Sequence, residues 1–420
     1  MLLALMLCAA LPAFAQAPAG GQDADPIKVS ENDWPWWRGY RHDGSAPDGQ
    51  KPPLTWSNDQ NILWKTPVPG RGYGSAAVIG DRLYLAACDE GPGSQSLMCF
   101  ERESGKVAWQ TEIHPSGAMR KNAKSTGAST TPACDGERVY ITFANSDAAF
   151  ATAVGLDGKI LWKTKFGEYQ IHQGYASSPF VYRSLILVSA DHKGGGVIAA
   201  LDRKSGKVVW SHERPKFPNY SSPVVHRIGD RDQLFMIGCD LVTSLDPLTG
   251  KVLWETAGST TECVTTTVTD GKHIFTSGGY PKNHLAAVAA DSGKPAWETK
   301  DRIYVPSLLI RDGKLYGVLD AGAAGCWDAA TGKELWKNRL GGAVSSSPVL
   351  VGNRIYSTDE KGETFVFEAS PEKFTLLATN KLGDETFSTP AICGSRIFVR
   401  IAQKVDGKRQ EFLCCLGEKN

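Results

Sequence analysis

The chain has 420 residues, with 46 Lys and Arg against 45 Asp and Glu, so it carries neither a basic footprint for nucleic acid nor an acidic tail. Hydrophobic residues at 41% and charged residues at 22% are those of a chain that buries a core, which excludes a disordered protein. Forty-four glycines and 23 prolines, about one residue in six, suit a turn-rich all-β protein and argue against a helical one.

In chain order, residues 1–15 (MLLALMLCAALPAFA) form an apolar stretch ending in Ala13-Phe14-Ala15, the small-x-small pattern of a cleaved export signal. The usual positive n-region is missing, as it would be if the start codon were placed too late. Leu7 stands before Cys8 where lipid attachment wants a small residue, so simple cleavage is expected. Past residue 15 no apolar run reaches the ~18 residues of a membrane-spanning helix. The expected location is bacterial and outside the inner membrane, periplasmic or extracellular. Residues 16–33 are polar and rich in Pro and Gly, and predict a disordered leader. Residues 34–60 open with WPWWRGYRHDG and form a Trp-rich segment expected to pack on the body of the protein.

From residue 61 a repeat takes over. Seven of the twelve tryptophans share one context: Trp64 (NILWKT), Trp109 (SGKVAWQT), Trp162 (DGKILWKT), Trp210 (SGKVVWSH), Trp254 (TGKVLWET), Trp297 (SGKPAWET) and Trp336 (TGKELWKN). Their successive gaps of 45, 53, 48, 44, 43 and 39 residues mark one repeated unit and override a multi-domain reading of the length. In residues 220–257 the unit reads as four short strands, SSPVVHRI, QLFMIGC, LVTSLD and VLWETA, rich in Val, Ile and Leu and bounded by Gly, Asp and Pro.

First strands recur at Ser75, Thr131, Ser178, Ser222, Thr266, Ser307, Ser347 and Thr389, which makes eight units. The eighth stops at its third strand, EFLCCLG, without a Trp strand, whereas NILWKTPV at 61–68 stands upstream without its three partners. The surplus at one end matches the deficit at the other. The expected fold is therefore an eight-bladed β-propeller of four-stranded antiparallel blades over residues 61–416, closed by an N-terminal strand that removes the exposed sheet edge.

Asp202–Trp210 (DRKSGKVVW) and Asp246–Trp254 (DPLTGKVLW) are the best copies of an Asp-x-x-(Ser/Thr)-Gly-Lys-x-x-Trp pattern. This pattern resembles the pyrroloquinoline-quinone (PQQ)-type propeller repeat, and the resemblance extends over nearly the whole chain past the signal. The superfamily contains quinone-dependent alcohol and sugar dehydrogenases as well as non-catalytic scaffolds such as the propeller that assists outer-membrane β-barrel assembly. The resemblance implies that the seven tryptophans dock neighbouring blades. The physical chemistry of the pattern is structural too, since Gly supplies a positive φ in the turn, Asp caps it and Trp buries apolar area.

Function is expected on one rim. First-to-second strand turns (79–81, 134–136, 351–353, 393–395) and the Ser/Thr-Gly-Lys turns are short and uniform, whereas the opposite connections vary, with 110–130, 165–177 and 212–220 the longest. Residues just before each first strand should ring the central funnel on the variable side: Tyr73, Ser129, Tyr175, Tyr220, Val264, Tyr304, Ser345 and Phe387, with Arg71, His114, Arg120, Lys121, His172 and His192 nearby. Arg71, Tyr73, His172, Tyr175, Tyr220, Tyr304 and Phe387 are the candidate binding residues, because aromatics beside cations fit a ligand or peptide groove. The alternative is that these aromatics pack on neighbours.

Of ten cysteines, Cys99, Cys326 and Cys415 fall where other repeats place Ala200 and Ser244, and so read as buried small residues, while Cys88 and Cys99 flank one loop and are a candidate pair. Haem and zinc spacings are absent, so no metal site is expected. Cys414-Cys415 invites comparison with the adjacent-cysteine ring over the quinone of the dehydrogenases, but it lies in the last strand, whose successive residues face opposite ways. No nucleophile elbow or phosphate loop is present and no catalytic residue is assigned. The expected function is a monomeric, cofactor-free binding module for a protein or other cell-envelope partner. The alternative is an oxidoreductase using PQQ with Ca²⁺, or a sugar-active enzyme, in the funnel.

Overall fold

The computed structural model describes residues 26–120 and 122–418; the expected export signal, most of the expected leader, Lys121 and residues 419–420 lie outside the described residues. Eight four-stranded antiparallel sheets follow one another around a ring. Seven are built from consecutive strands, over 77–114, 133–168, 180–214, 224–257, 268–299, 309–339 and 349–381 (blades 1 to 7). In the eighth, the strands at 391–393, 396–405 and 408–416 are completed by Ile62–Val68, with Trp64 opposite Cys415 and Val68 opposite Glu411. The ring is thus sealed by the N-terminal strand, as the mismatched ends of the repeat predict.

The repeated motif explains how the blades hold together. Each motif tryptophan sits on the outermost strand opposite a small residue of the third strand: Cys99 faces Trp109, Ala200 faces Trp210, Ser244 faces Trp254, Cys326 faces Trp336 and Cys415 faces Trp64. Its indole N–H reaches a carbonyl of the following blade, as Trp162 does to Arg203 O (2.9 Å) and Trp336 to Ser370 O (2.8 Å). For six of the seven, Trp336 excepted, the turn glycine of that next blade lies under the indole face. A Cβ on Gly206, whose φ is +69°, would stand 2.5 Å from the Trp162 ring, so that position is glycine for two reasons.

Blade 7 breaks the pattern. Ala378, opposite Val366, occupies the tryptophan position. The missing indole is supplied by Trp56, which arrives from the N-terminal segment, stacks on Tyr356 (centroids 6.3 Å apart) and joins the apolar cluster against which Leu377 and Ala378 pack. Asn380 clasps it from both sides, its Oδ1 accepting from Trp56 N (2.9 Å) and its Nδ2 donating to Leu54 O (3.0 Å).

The hydroxyls that open the first strands form an inter-blade chain around the axis. Ser75 N donates to Thr131 Oγ1 (3.1 Å), Thr131 N to Ser178 Oγ (2.9 Å), Ser178 N to Ser222 Oγ (2.9 Å), Thr266 N to Ser307 Oγ (3.0 Å), Ser307 N to Ser347 Oγ (2.9 Å) and Ser347 N to Thr389 Oγ1 (2.9 Å). Thr266 Oγ1 instead accepts from the indole N–H of Trp37 (2.8 Å).

Residues 26–51 cross the tight-turn face as a strap, and residues 54–58 run along the outer strand of blade 7 to Asn380 and Gly383. Lys28 N donates to Asp135 O (2.7 Å) on blade 2, so residues 26–33 of the expected leader lie against the propeller, where main-chain pairing offsets their polar composition. Trp34 exchanges main-chain hydrogen bonds with Val78 (2.9 and 2.8 Å) on blade 1, and Ala46 N donates to Leu350 O (2.8 Å) on blade 7. Trp34, Trp36 and Trp56 are all buried. Among the described residues no helix is long and apolar enough to cross a membrane.

Candidate functional site

The strap turns the central channel into a cup. Trp37 stands beneath the hydroxyl chain as its floor, and the cavity above it, about 580 Å³, is lined by residues of the variable side. All eight positions that precede the first strands line it: Tyr73, Ser129, Tyr175, Tyr220, Val264, Tyr304, Ser345 and Phe387. They converge because each sits at the same point of the repeat, where the chain enters the innermost strand beside the axis.

The candidate residues differ in what they offer. Tyr73 and Phe387 stack on one another at 4.2 Å and form one wall. Tyr175 is almost fully buried and donates its hydroxyl to Ser189 O (2.9 Å), so it supports the wall rather than reaching into the cup. On the far side Tyr304 Oη donates to Glu262 Oε2 (3.2 Å), and His172 Nε2 lies 3.4 Å from Glu262 Oε1. Burial and the Glu262 carboxylate together push the Tyr304 phenol above its ordinary value, and Tyr220 is raised in the same way. Both phenols stay protonated at neutral pH; Tyr304 donates to Glu262, whereas the buried Tyr220 hydroxyl has no partner.

Arg71 does not line the cup. Its guanidinium sits 3.7 Å from both Glu90 and Glu385 on the rim, and Tyr73 lies between it and the cavity, because two carboxylates attract it outward. Arg120 likewise pairs with Glu90 (3.1 Å). His114 and His192 are buried away from the cavity, against Phe143 and Phe150 and against Tyr169 respectively.

Several lining residues escaped the sequence reading: Trp37, Asn122, Lys124, Gln173, Glu262, Tyr280 and Arg302. Glu262 stands alone among uncharged residues in STTECVTTT, two positions before Val264, and that isolated acid was the signal available. Trp37 lies outside the seven-fold pattern, and a spare indole in a strap was the other. The long 110–130 connection arches over the mouth. Asn122 Nδ2 donates to Gln173 Oε1 (2.8 Å), and Lys124 Nζ reaches across the ring to Glu360 Oε1 (2.6 Å) on blade 7.

A quinone with calcium would need a cage of carboxylate and amide oxygens. Glu262 is the one carboxylate in the lining and is already engaged by Tyr304 and His172, and the described residues contain no group of three or more His, Cys, Asp or Glu placed to hold a metal ion. That donor set does not fit the cage. The nine described cysteines, Cys88 and Cys99 included, are free and buried. Cys414 and Cys415 face Lys65 and Trp64 in blade 8 and do not line the cup.

The chain is 25% identical to the outer membrane protein assembly factor BamB of Burkholderia pseudomallei over 369 residues, covering 81% of this chain and 85% of that one. A polyvinylalcohol dehydrogenase of a Pseudomonas species is 24% identical over 270 residues, which span only 37% of that enzyme. Among solved structures, BamB from Moraxella catarrhalis superposes with a TM-score of 0.59 at 14% identity, covering 84% of this chain and 99% of that one. The quinohemoprotein alcohol dehydrogenase from Comamonas testosteroni reaches 0.68 at 13% identity, covering 93% and 81%, so both folds are shared. A family model described as outer membrane protein assembly factor BamB matches residues 93–324 and 281–371, well over half of the sequence. With the blades, their docking tryptophans and this match, the chain belongs to the PQQ-like propeller family that carries that description.

Proposed function

We propose that the protein is an exported, non-catalytic, monomeric binding module that holds a protein partner of the cell envelope on its variable-loop face, without a bound cofactor. The observation that carries this reading is the one-sided ring: the strap covers the tight-turn face, and the irregular connections, with the aromatic cup at their centre, face the other way. Rigid scaffolds present binding residues on such loops. The family description, an assembly factor of the outer membrane, is consistent with a partner of that class. Residues 1–15 act as the cleaved signal that delivers the protein to the periplasm or beyond.

Capture from envelope extract tests the reading. Wild type is compared with a Tyr73→Ala/Tyr280→Ala/Arg302→Ala variant, altered at the mouth of the cup. Loss of the same captured proteins supports the proposal, and an unchanged set overturns it. The oxidoreductase alternative has its own assay, in which PQQ and Ca²⁺ are added to the purified protein and dye reduction is followed with alcohols and sugars. Stoichiometric uptake with turnover would displace the scaffold reading.

A further inference from the structure

Burying a carboxylate away from water is costly unless a counter-charge offsets the lost hydration. Glu262 is 6% exposed, yet among the described residues no Lys or Arg nitrogen lies within 4.0 Å of its oxygens; its partners are the neutral phenol of Tyr304 and His172, which counts as a cation only when protonated. Among the described residues the Lys and Arg of the lining, Lys124 and Arg302, are committed elsewhere. Lys124 pairs with Glu360 at 2.6 Å, and Arg302 lies over the Tyr304 ring at 5.3 Å while donating to Gly279 O at 2.6 Å.

The carboxylate faces a cavity of about 580 Å³ whose nearby walls are aromatic. Tyr220 and Tyr304 come from the connections into blades 4 and 6 and Tyr280 from the second-to-third strand loop of blade 5, Trp37 forms the floor, and the main chain of Glu262 bridges to that of Tyr280 (3.3 Å). Ring faces around a desolvated carboxylate are the chemistry that recognises an organic cation, through ring quadrupoles and one charge-assisted hydrogen bond. A saccharide site would use aromatic faces as well, but its hydroxyls bring no cation to the carboxyl group of Glu262.

We infer that the Glu262 side of the cup is a binding site for an alkylammonium group, primary or methylated, carried either by a free alkylamine or by a lysine side chain of a partner. The site shares the cup and Tyr280 with the scaffold reading, so capture of a partner lysine rests on that reading, whereas binding of a free alkylamine does not. With one lining carboxylate and no second acid opposite it, the site binds rather than cleaves.

Titration calorimetry on the purified full chain tests this with cadaverine, tetramethylammonium, a lysine-containing peptide and the same peptide Nε-acetylated, with n-butanol and maltotriose as neutral probes. Cationic probes bind and neutral ones do not. Glu262→Gln weakens cation binding about tenfold or more with the circular dichroism spectrum unchanged. Tyr280 is 54% exposed, so its replacement leaves the fold intact; Tyr280→Ala weakens binding several-fold and Tyr280→Phe restores it, which a purely structural or hydroxyl-bonding role would not produce. Tighter binding of the peptide assigns the cation to a partner, and tighter binding of cadaverine assigns it to a small amine. Equal binding of the acetylated peptide, equal binding of neutral probes, or no heat with cations at millimolar concentration overturns the inference.

Discussion

Trp56→Ala isolates the borrowed indole of blade 7. The side chain is 5% exposed, stacks on Tyr356 and belongs to the cluster that Leu377 and Ala378 pack against, where every other blade has a tryptophan of its own on the outer strand. A buried tryptophan removes roughly 150–250 Å² from water, worth about 4–6 kcal/mol at ~25 cal/mol per Å². Residual burial in the unfolded chain reduces this to about 3–5 kcal/mol, the usual cost of truncating a core tryptophan. No hydrogen-bond term is added, because the Trp56 indole N–H has no partner. The loss falls at the junction between blades 7 and 8, beside the sheet that seals the ring. Urea unfolding followed by tryptophan fluorescence and circular dichroism reads it as a lowered midpoint. Ala378→Trp sharpens the test. In the wild-type background it overpacks the site and destabilises by about 1–3 kcal/mol. In the Trp56→Ala background it restores most of the loss, because both residues compete for one space. A loss below about 1 kcal/mol, or additive effects of the two changes, would refute the replacement argument.

Gly206→Ala forces a side chain to φ +69° and places its Cβ against the Trp162 ring, so it costs more than the ~1 kcal/mol of backbone strain alone; an unchanged thermal midpoint would contradict that packing. Trp37→Ala removes the floor of the cup and the donor to Thr266, and is expected to raise amide exchange at Thr266 and Ser307 while leaving exchange in the outer strands unchanged. Three histidines, His114 and His226 buried and His42 half-buried, set an acid limit. Burial lowers His42 to about 3, and His114 and His226 to about 4, from 6.5. Their unfolded forms take up protons first, so the stability they confer is complete above about pH 6.5 and is lost as pH falls through 4 to 3. Denaturant midpoints measured across that range should decline, and less steeply in His226→Gln.

Much of the ring was legible in the chain before folding was considered. A tryptophan every 39 to 53 residues and a lone Trp strand at 61–68 facing a unit that lacked one were enough for the blade number and the closure. Local chemistry carried that information: strand pattern, turn glycine and capping aspartate act within a few residues, and repetition multiplies the signal. The ring of positions around the funnel followed from the same register. The occupant of each position did not, because Arg71 is drawn to Glu90 and Glu385, and Tyr175 spends its hydroxyl on Ser189. The placement of Trp56 in blade 7, of Trp37 under the axis and of Glu262 among three tyrosines was decided only by the tertiary structure. Each depends on contacts between segments far apart in the chain, and no periodicity encodes which distant side chain fills a vacancy that the repeat leaves open.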